Sequence, residues 1–336
     1  MDNFVVGDLL SYDDVYNFGK NVEVLTIEIE NVNTDALKKL EEEGVKVYPS
    51  SANIKTIQNK SVQKEFYLKH RLPSSFFKTC DTINDIIEGL ENEKYKYPFI
   101  WKSARFGYDG KGVKLINNIT ELKNLPNIEC IVENKVSIKK ELSVIVARNN
   151  NGQEAYFPTV EMEFNQANLV DKVICPAQIS DELNNKVIKL ALDTSRAFNH
   201  VGLLAIEIFL TNDDELLINE VAPRPHNSGH HTIECCMISQ FEQHLRAILN
   251  LSLGNTSIKI PGVMINLVGE ENYFGEAVYD NIENTLNIAG ASIHIYGKKE
   301  TKPNRKMGHI TVVNKNLSKA KEFANSIRKS IKVISK

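Results

Sequence analysis

Two apolar segments joined by a short polar turn, VGLLAIEIFL (201–210) and ELLINEVA (215–222), constrain this chain more than any other stretch. Only Gly202 and Glu207 interrupt the first, and the second carries an amide and a carboxylate, Asn219 and Glu220. The spacing predicts strands over 201–210 and 215–221 around a turn at 211–214. If Leu210 or Thr211 pairs with Leu216, antiparallel register sets Glu207 opposite Asn219 or Glu220. Two acids in adjacent, otherwise apolar strands are costly unless something cationic lies between them. Mg2+ carrying nucleotide phosphates fits, since it takes one or two protein carboxylates and fills its shell with phosphate oxygens. The plainer alternative has Glu207 facing solvent from a half-exposed sheet.

From Pro223 the chain reads PRPHNSGHH, which crowds Arg224, His226, Asn227, Ser228, His230 and His231 into one loop. A surface turn does not need that density of polar groups, whereas a site for a charged ligand does. Three other clusters carry chemistry. GYDGKG (107–112) lies between two strands, where closely spaced glycines let backbone N–H groups approach phosphate. It is not a Walker A loop, because no GK[ST] opens a helix, and a glycine-rich hairpin with a surface lysine is its plain alternative. Lys102 ends the apolar strand PFIWK, where a buried ammonium requires an anionic partner. ENKV (133–136) joins two strands in a way that suits adenine. YGKKETKPNRKMGH (296–309) gathers Lys298, Arg305 and Lys306 around Pro303, either as a solvated charge run or as a phosphate clamp.

Composition narrows the rest. Lys plus Arg at 40 against Asp plus Glu at 43 leaves a net charge of −3, so no basic footprint for nucleic acid exists. No stretch approaches a membrane span, and Met-Asp-Asn-Phe lacks the basic flank and apolar core of a signal peptide. Cys80, Cys130, Cys175, Cys235 and Cys236 are irregularly spaced with no CxxC, which predicts reduced and mostly buried thiols in a cytoplasmic protein.

Three parts are expected along the 336 residues: an α/β portion over 1–52, an α+β body over 53–254 with a subdomain at about 98–150, and a β-rich lobe over 255–336. The first alternates helix 12–20, strand 22–29, helix 33–43 and strand 45–48, which is half of a small doubly wound sheet. A longer helix is expected over 50–70, a strand over 154–161 and a helix over 180–199. In the lobe, strands at 262–268, 292–296 and 309–313 precede a helix at 318–331.

Taken together, Lys60, Lys102, GYDGKG, ENKV, Glu141, the Glu207/Glu220 pair and NEVAPRPHNSGHHTIECC with SQFEQHLRAI resemble the ATP-grasp ligases. More narrowly, they resemble the 5-(carboxyamino)imidazole ribonucleotide synthases of purine biosynthesis, from about Phe4 to the C-terminus. That resemblance implies an ATP-grasp fold with a Rossmann-like N-terminal domain and a small β-rich lobe, and homodimers. It implies ATP and Mg2+ as cofactors and aminoimidazole ribonucleotide and bicarbonate as small-molecule substrates, carboxyphosphate forming on the way.

By the same resemblance, Lys60, Lys102 and Gly107, Tyr108, Asp109, Gly110, Lys111, Gly112 and Val113 hold ATP phosphates. Glu133, Asn134, Lys135 and Val136 line adenine, Glu141 meets the ribose, and Phe164 lies near ATP. Glu207 and Glu220 bind Mg2+, with Asn219 beside them. Tyr108, Arg224 and His226 are the catalytic set, and with Asn227 and Ser228 they face bicarbonate, carboxyphosphate and the imidazole. Lys298, Arg305 and Lys306 clamp the ribonucleotide phosphate, and Glu28 contacts its sugar or base. The family's initial strand and glycine-rich turn are missing ahead of Phe4, which implies an N-terminal truncation or a late start. Phe164 stands where many members carry histidine, and Val113 replaces a common glutamine. A formate-dependent glycinamide ribonucleotide transformylase shares PRPH and the basic clamp, but NSGHHTIE and SQFEQH favour the carboxylating enzyme; an ATP-binding but inactive chain is the other alternative.

Overall fold

The computed structural model describes residues 4–105, 112–165 and 167–336. Its first unit is a parallel pair, Val24–Thr26 with Lys46–Tyr48, packed on helices Tyr12–Gly19 and Thr34–Glu42. Asn33 caps the second helix by accepting from the Ala36 N–H at 2.9 Å, and Leu37 and Leu40 bury the apolar stripe against Leu25 and Val47.

The single long helix expected over 50–70 is two helices, Ser51–Ile57 and Lys60–Lys69. Asn59 makes the break: its backbone is extended, and its side-chain oxygen accepts from the Ser61 and Val62 N–H groups. An Asn side chain that competes for backbone donors is a helix start. Lys60 therefore opens the second helix, and Lys64 follows one turn later on the same side.

A four-stranded antiparallel subdomain follows, ordered Phe77–Cys80, Cys130–Asn134, Phe99–Ser103 and Val113–Ile116, over a core that includes Phe99, Trp101 and Ile116. It begins well before residue 98, and Ile138–Arg148 leaves it for the main sheet.

The main sheet runs Leu216–Ala222, Gly202–Thr211, Ile138–Arg148, Val160–Phe164, Val170–Cys175, Gly262–Val268, Lys306–Val313 and Ala291–Ile295, with Glu154–Tyr156 paired beside Ile138–Arg148. The strand expected over 154–161 is thus two, separated at Pro158, which lacks a ladder donor. Val170–Cys175, absent from the sequence reading, pairs with Val160–Phe164 on one side and Gly262–Val268 on the other. It fuses body and lobe into one sheet.

Gly202–Thr211 is covered on both faces. Leu204, Ile206, Ile208 and Leu210 pack under helix Asp181–Ala197, while Leu203 and Ala205 meet Ile145, Cys235 and Met264. Glu207 shares the second face and is only 9% exposed, so the half-exposed alternative is set aside. All five cysteines are free and buried. Among the described residues, no helix is long and apolar enough to cross a membrane.

Candidate active site

Pairing along the hairpin is Leu210 with Leu216, Phe209 with Leu217 and Ile208 with Ile218; then the register steps, and Glu207 faces Glu220. Asn219 is the extra residue of a β-bulge. In unbroken register Glu207 would oppose Asn219, and Glu220 would turn to the other face. With the bulge, both carboxylates share one side, and the Asn219 side-chain amide reaches Glu207 Oε2 at 3.3 Å.

Cations converge on this pair. Lys60 Nζ lies 2.9 Å from Glu220 Oε2. Lys102 Nζ donates to Asn219 Oδ1 at 3.3 Å and sits 2.9 Å from Glu133 Oε2. The Lys60 ammonium holds Glu220 well below the carboxylate range despite burial, although 46% of that side chain remains open to the cleft and water tempers the effect. Burial opposes the charge on Lys60, but Glu220 more than offsets it and keeps the ammonium charged. Glu207 behaves oppositely. Burial, then the nearby Glu220 and Glu141 carboxylates, pushes its pKa up to about 8. Glu141, opposite Phe209 on Ile138–Arg148, is raised by burial to about 7. The cleft thus holds three neighbouring carboxyl groups, two of them raised by burial and one held low by Lys60.

The loop after Glu220 is pinned from behind. The Gln240 side chain accepts from the His226 N–H at 2.8 Å and donates to the His226 carbonyl at 2.9 Å. The Ser228 N–H donates to His226 Nδ1 at 3.3 Å, and the Ser228 hydroxyl lies 2.9 Å from the same nitrogen and 2.9 Å from Ser143 Oγ. These partners assign the proton to Nε2, which points toward Glu207 Oε1 at 3.7 Å. Burial, with Arg224 and Lys306 nearby, lowers the His226 pKa to about 3, so the ring is a neutral N–H donor. Asn227 is buried with neither Oδ1 nor Nδ2 hydrogen-bonded. An orphaned buried amide in such a loop points to a ligand.

Arg224 is held 2.9 Å from Glu30 Oε1, an ion pair that was not expected from the sequence. Glu28 lies exposed at the bend after Val24–Thr26. His231 is structural, with Nδ1 2.9 Å from the Ser228 carbonyl. His230 stacks on Phe241 and on His309, and His309 stacks in turn on His294.

That ring column carries the basic cluster. Tyr296 Oη lies 2.9 Å from His309 Nδ1, which ties together the strands flanking Lys298 and Lys306. Lys298 Nζ donates to the Lys306 carbonyl at 2.7 Å, and Arg305 Nη1 donates to the Glu300 carbonyl at 2.7 Å.

Of the phosphate loop, Gly107, Tyr108, Asp109, Gly110 and Lys111 lie outside the described residues. Gly112 has φ +76°, and its carbonyl accepts from the Ser103 N–H; Val113 then pairs with Lys102. Asn134 ends the subdomain strand and Lys135 and Val136 follow it, with Asn134 and Lys135 exposed. Glu133, by contrast, is buried between Lys64 and Lys102. Phe164 ends its strand packed beside the core of the second face.

Comparisons with known proteins agree with this geometry. A family model described as ATP-grasp domain matches residues 65–241. Models for the ribonucleotide synthetase preATP-grasp domain and the phosphoribosylaminoimidazole carboxylase C-terminal domain match residues 1–58 and 262–322. The chain is 38% identical over 294 residues to N5-carboxyaminoimidazole ribonucleotide synthase from Bacillus subtilis, covering 86% of this chain and 74% of that one. Its structure matches the N5-carboxyaminoimidazole ribonucleotide synthetase of Thermotoga maritima with a TM-score of 0.91 and 41% identity, covering 99% of this chain and 88% of that one. It also matches the Aspergillus clavatus synthase in complex with ADP and 5-aminoimidazole ribonucleotide, with a TM-score of 0.88 and 34% identity over 98% of this chain and 88% of that one. Against phosphoribosylaminoimidazole carboxylases of yeasts and a plant, it spans about 55–60% of their length.

Proposed function

Because this chain belongs to the N5-carboxyaminoimidazole ribonucleotide synthase family of ATP-grasp ligases in purine biosynthesis, we propose that it uses ATP and Mg2+ to carboxylate 5-aminoimidazole ribonucleotide with bicarbonate. The observation that carries the proposal is the bulged pairing of Glu207 and Glu220 beside Asn219.

These hard oxygen donors suit Mg2+. Glu207 and Glu220, with the Asn219 amide beside them, are the residues that would hold the ion. When bound, the ion neutralises charge on the phosphates during transfer. Lys60 and Lys102 flank the pair and contact the nucleotide phosphates, a role that the family resemblance also gives to Gly107–Val113. Asn134–Val136 lines adenine beside Phe164, and Glu141 takes the ribose.

A bicarbonate oxygen then attacks the γ-phosphorus, ADP leaves, and carboxyphosphate results. The exocyclic amine of the ribonucleotide next attacks the carboxyl carbon; an N–C bond forms, the C–O bond to phosphate breaks, and the amine loses a proton. Neutral His226 offers Nε2–H to a negative oxygen, with Arg224 sharing the role and Tyr108 given it by the family resemblance; a donor fixed in place needs no reorganisation as charge develops. Asn227 and Ser228 meet the imidazole, Lys298, Arg305 and Lys306 bind the 5′-phosphate, and Glu28 contacts the sugar or base.

Met237, Phe241, Leu245 and Leu249 recur every four residues and are 42–60% exposed, a face suited to a second copy of the chain. Reduced, buried thiols fit the cytoplasm.

The test is ADP release by the purified chain with ribonucleotide and bicarbonate omitted in turn. Release should require both. Release driven by formate without bicarbonate, or by neither, overturns the reading.

A further inference from the structure

Lys64 is a cation that the reaction scheme leaves unused. It sits one helical turn after Lys60, yet its side chain is only 3% exposed, against 17% for Lys60 and 12% for Lys102. Sealed in this way, it faces the back of Glu133 and does not reach the cleft. Its Nζ lies 2.9 Å from Glu133 Oε1 and donates to Ser75 Oγ at 3.0 Å. That short contact with Glu133 is an ion pair between two buried groups. The other carboxylate oxygen, Oε2, is 2.9 Å from Lys102 Nζ.

One carboxylate thus stands between two ammonium groups, and the trio carries a surplus positive charge. Where that surplus falls is decided by access. Lys64 cannot approach a ligand, whereas Lys102 already touches Asn219, beside the Glu207/Glu220 pair. If Lys64 were neutral, Lys102 would be the one ammonium left in contact, among the described residues, with a carboxylate 4% exposed. A phosphate would then have to draw Lys102 away from Glu133, leaving a bare buried charge, which is strongly unfavourable. With Lys64 in place, Glu133 is neutralised from behind and merely aims Lys102.

We propose that Lys64 is a positioning residue for ATP: it satisfies Glu133 from behind and so leaves the charge of Lys102 available to nucleotide phosphate. The depressed pKa of Glu133, about 2, with burial outweighed first by Lys102 and then by Lys64, agrees with a carboxylate that remains ionised between them. The inference rests on the ATP-site reading above, and the experiment separates the two.

Steady-state kinetics of Lys64→Met, Lys64→Arg, Lys102→Met and Lys64→Met/Glu133→Gln, with ATP and ribonucleotide varied separately, make the test. Lys64→Met should raise KM for ATP about tenfold, the weight of one charge-assisted contact, while KM for the ribonucleotide stays within about twofold. Lys64→Arg should restore most of the ATP affinity. The double variant should recover it relative to Lys64→Met, because no anion competes for Lys102; a purely packing role predicts no such recovery. An unchanged ATP KM in Lys64→Met, with a raised one in Lys102→Met, overturns the Lys64 inference and leaves the site standing. An unchanged ATP KM in Lys102→Met overturns the site itself. A parallel rise in both KM values in Lys64→Met also counts against positioning. Should Lys64→Met fail to fold, Lys64→Gln carries the same expectations, since its uncharged amide can still donate to Ser75 Oγ.

Discussion

Glu207 and Glu220 face each other across a hairpin whose register advances by one residue at Asn219, after three pairs in constant register. That single insertion sets both carboxylates on one side of the hairpin. Glu207 is buried and raised to about 8 while Glu220, beside Lys60, is held low, so the two carboxylates differ in charge before any ligand arrives.

Glu220→Gln should lose at least about a hundredfold in turnover, since one of two carboxylates for the phosphate-bound ion is gone. Its melting temperature should fall as well, because the buried Lys60 ammonium loses the carboxylate that offsets its burial. ADP release and thermal melting of the same preparation check both halves; near-normal turnover rules out the assigned role.

Binding of Mg2+ with ATP should release protons at pH 7. Glu207, at about 8, and Glu141, at about 7, hold protons in the free protein, and a divalent ion favours the carboxylate. Calorimetry in buffers of different ionisation enthalpy counts the protons. Release should fade as pH rises above 9, where Glu207 is already ionised; proton uptake at pH 7 would contradict this electrostatic account.

Arg305→Ala should raise KM for the ribonucleotide about tenfold and leave KM for ATP nearly unchanged, the signature of a lost phosphate contact. Equal effects on both constants would remove Lys298, Arg305 and Lys306 from the role of clamp.

Stability should fall as the solution is acidified from pH 6.5. His200, His226, His230 and His309 are lowered to about 3 and His244 to about 4, with burial the main cause in each. Their folded-state pKa values lie below the unfolded value, so stability is full above about pH 6.5 and declines until the folded pKa is passed. At pH 5.5 each unmet protonation costs about 1 kcal/mol. Glu133 adds its own loss only below the ordinary glutamate range. Melting temperature followed from pH 8 to pH 5 is the measurement, and a flat profile would contradict it.

The hairpin strands were legible because apolar runs and a polar turn are local signals, and the register was narrowed to Asn219 or Glu220 as the partner of Glu207. Choosing between them needed the bulge, which reflects packing of both sheet faces and leaves no mark in the sequence. Lys64 was illegible for the same reason. In QKEFYLK it reads as an ordinary surface lysine, and only the approach of Glu133 from a distant strand buries it. The helix break at Asn59 did have a local signal, a capping residue, that a long apolar pattern overrode. Val170–Cys175 lies in a stretch of mixed polarity, and its pairing with Gly262–Val268 is a contact across nearly a hundred residues.

That last pairing bears on how this chain can be taken apart. A cut at residue 254, where composition places a boundary, would sever a shared sheet and bare one edge on Val170–Cys175 and another on Gly262–Val268. Each half would present unpaired backbone groups, a template for aggregation. Swapping lobes between relatives therefore calls for transplanting the paired strands together, as a seam with matched sides.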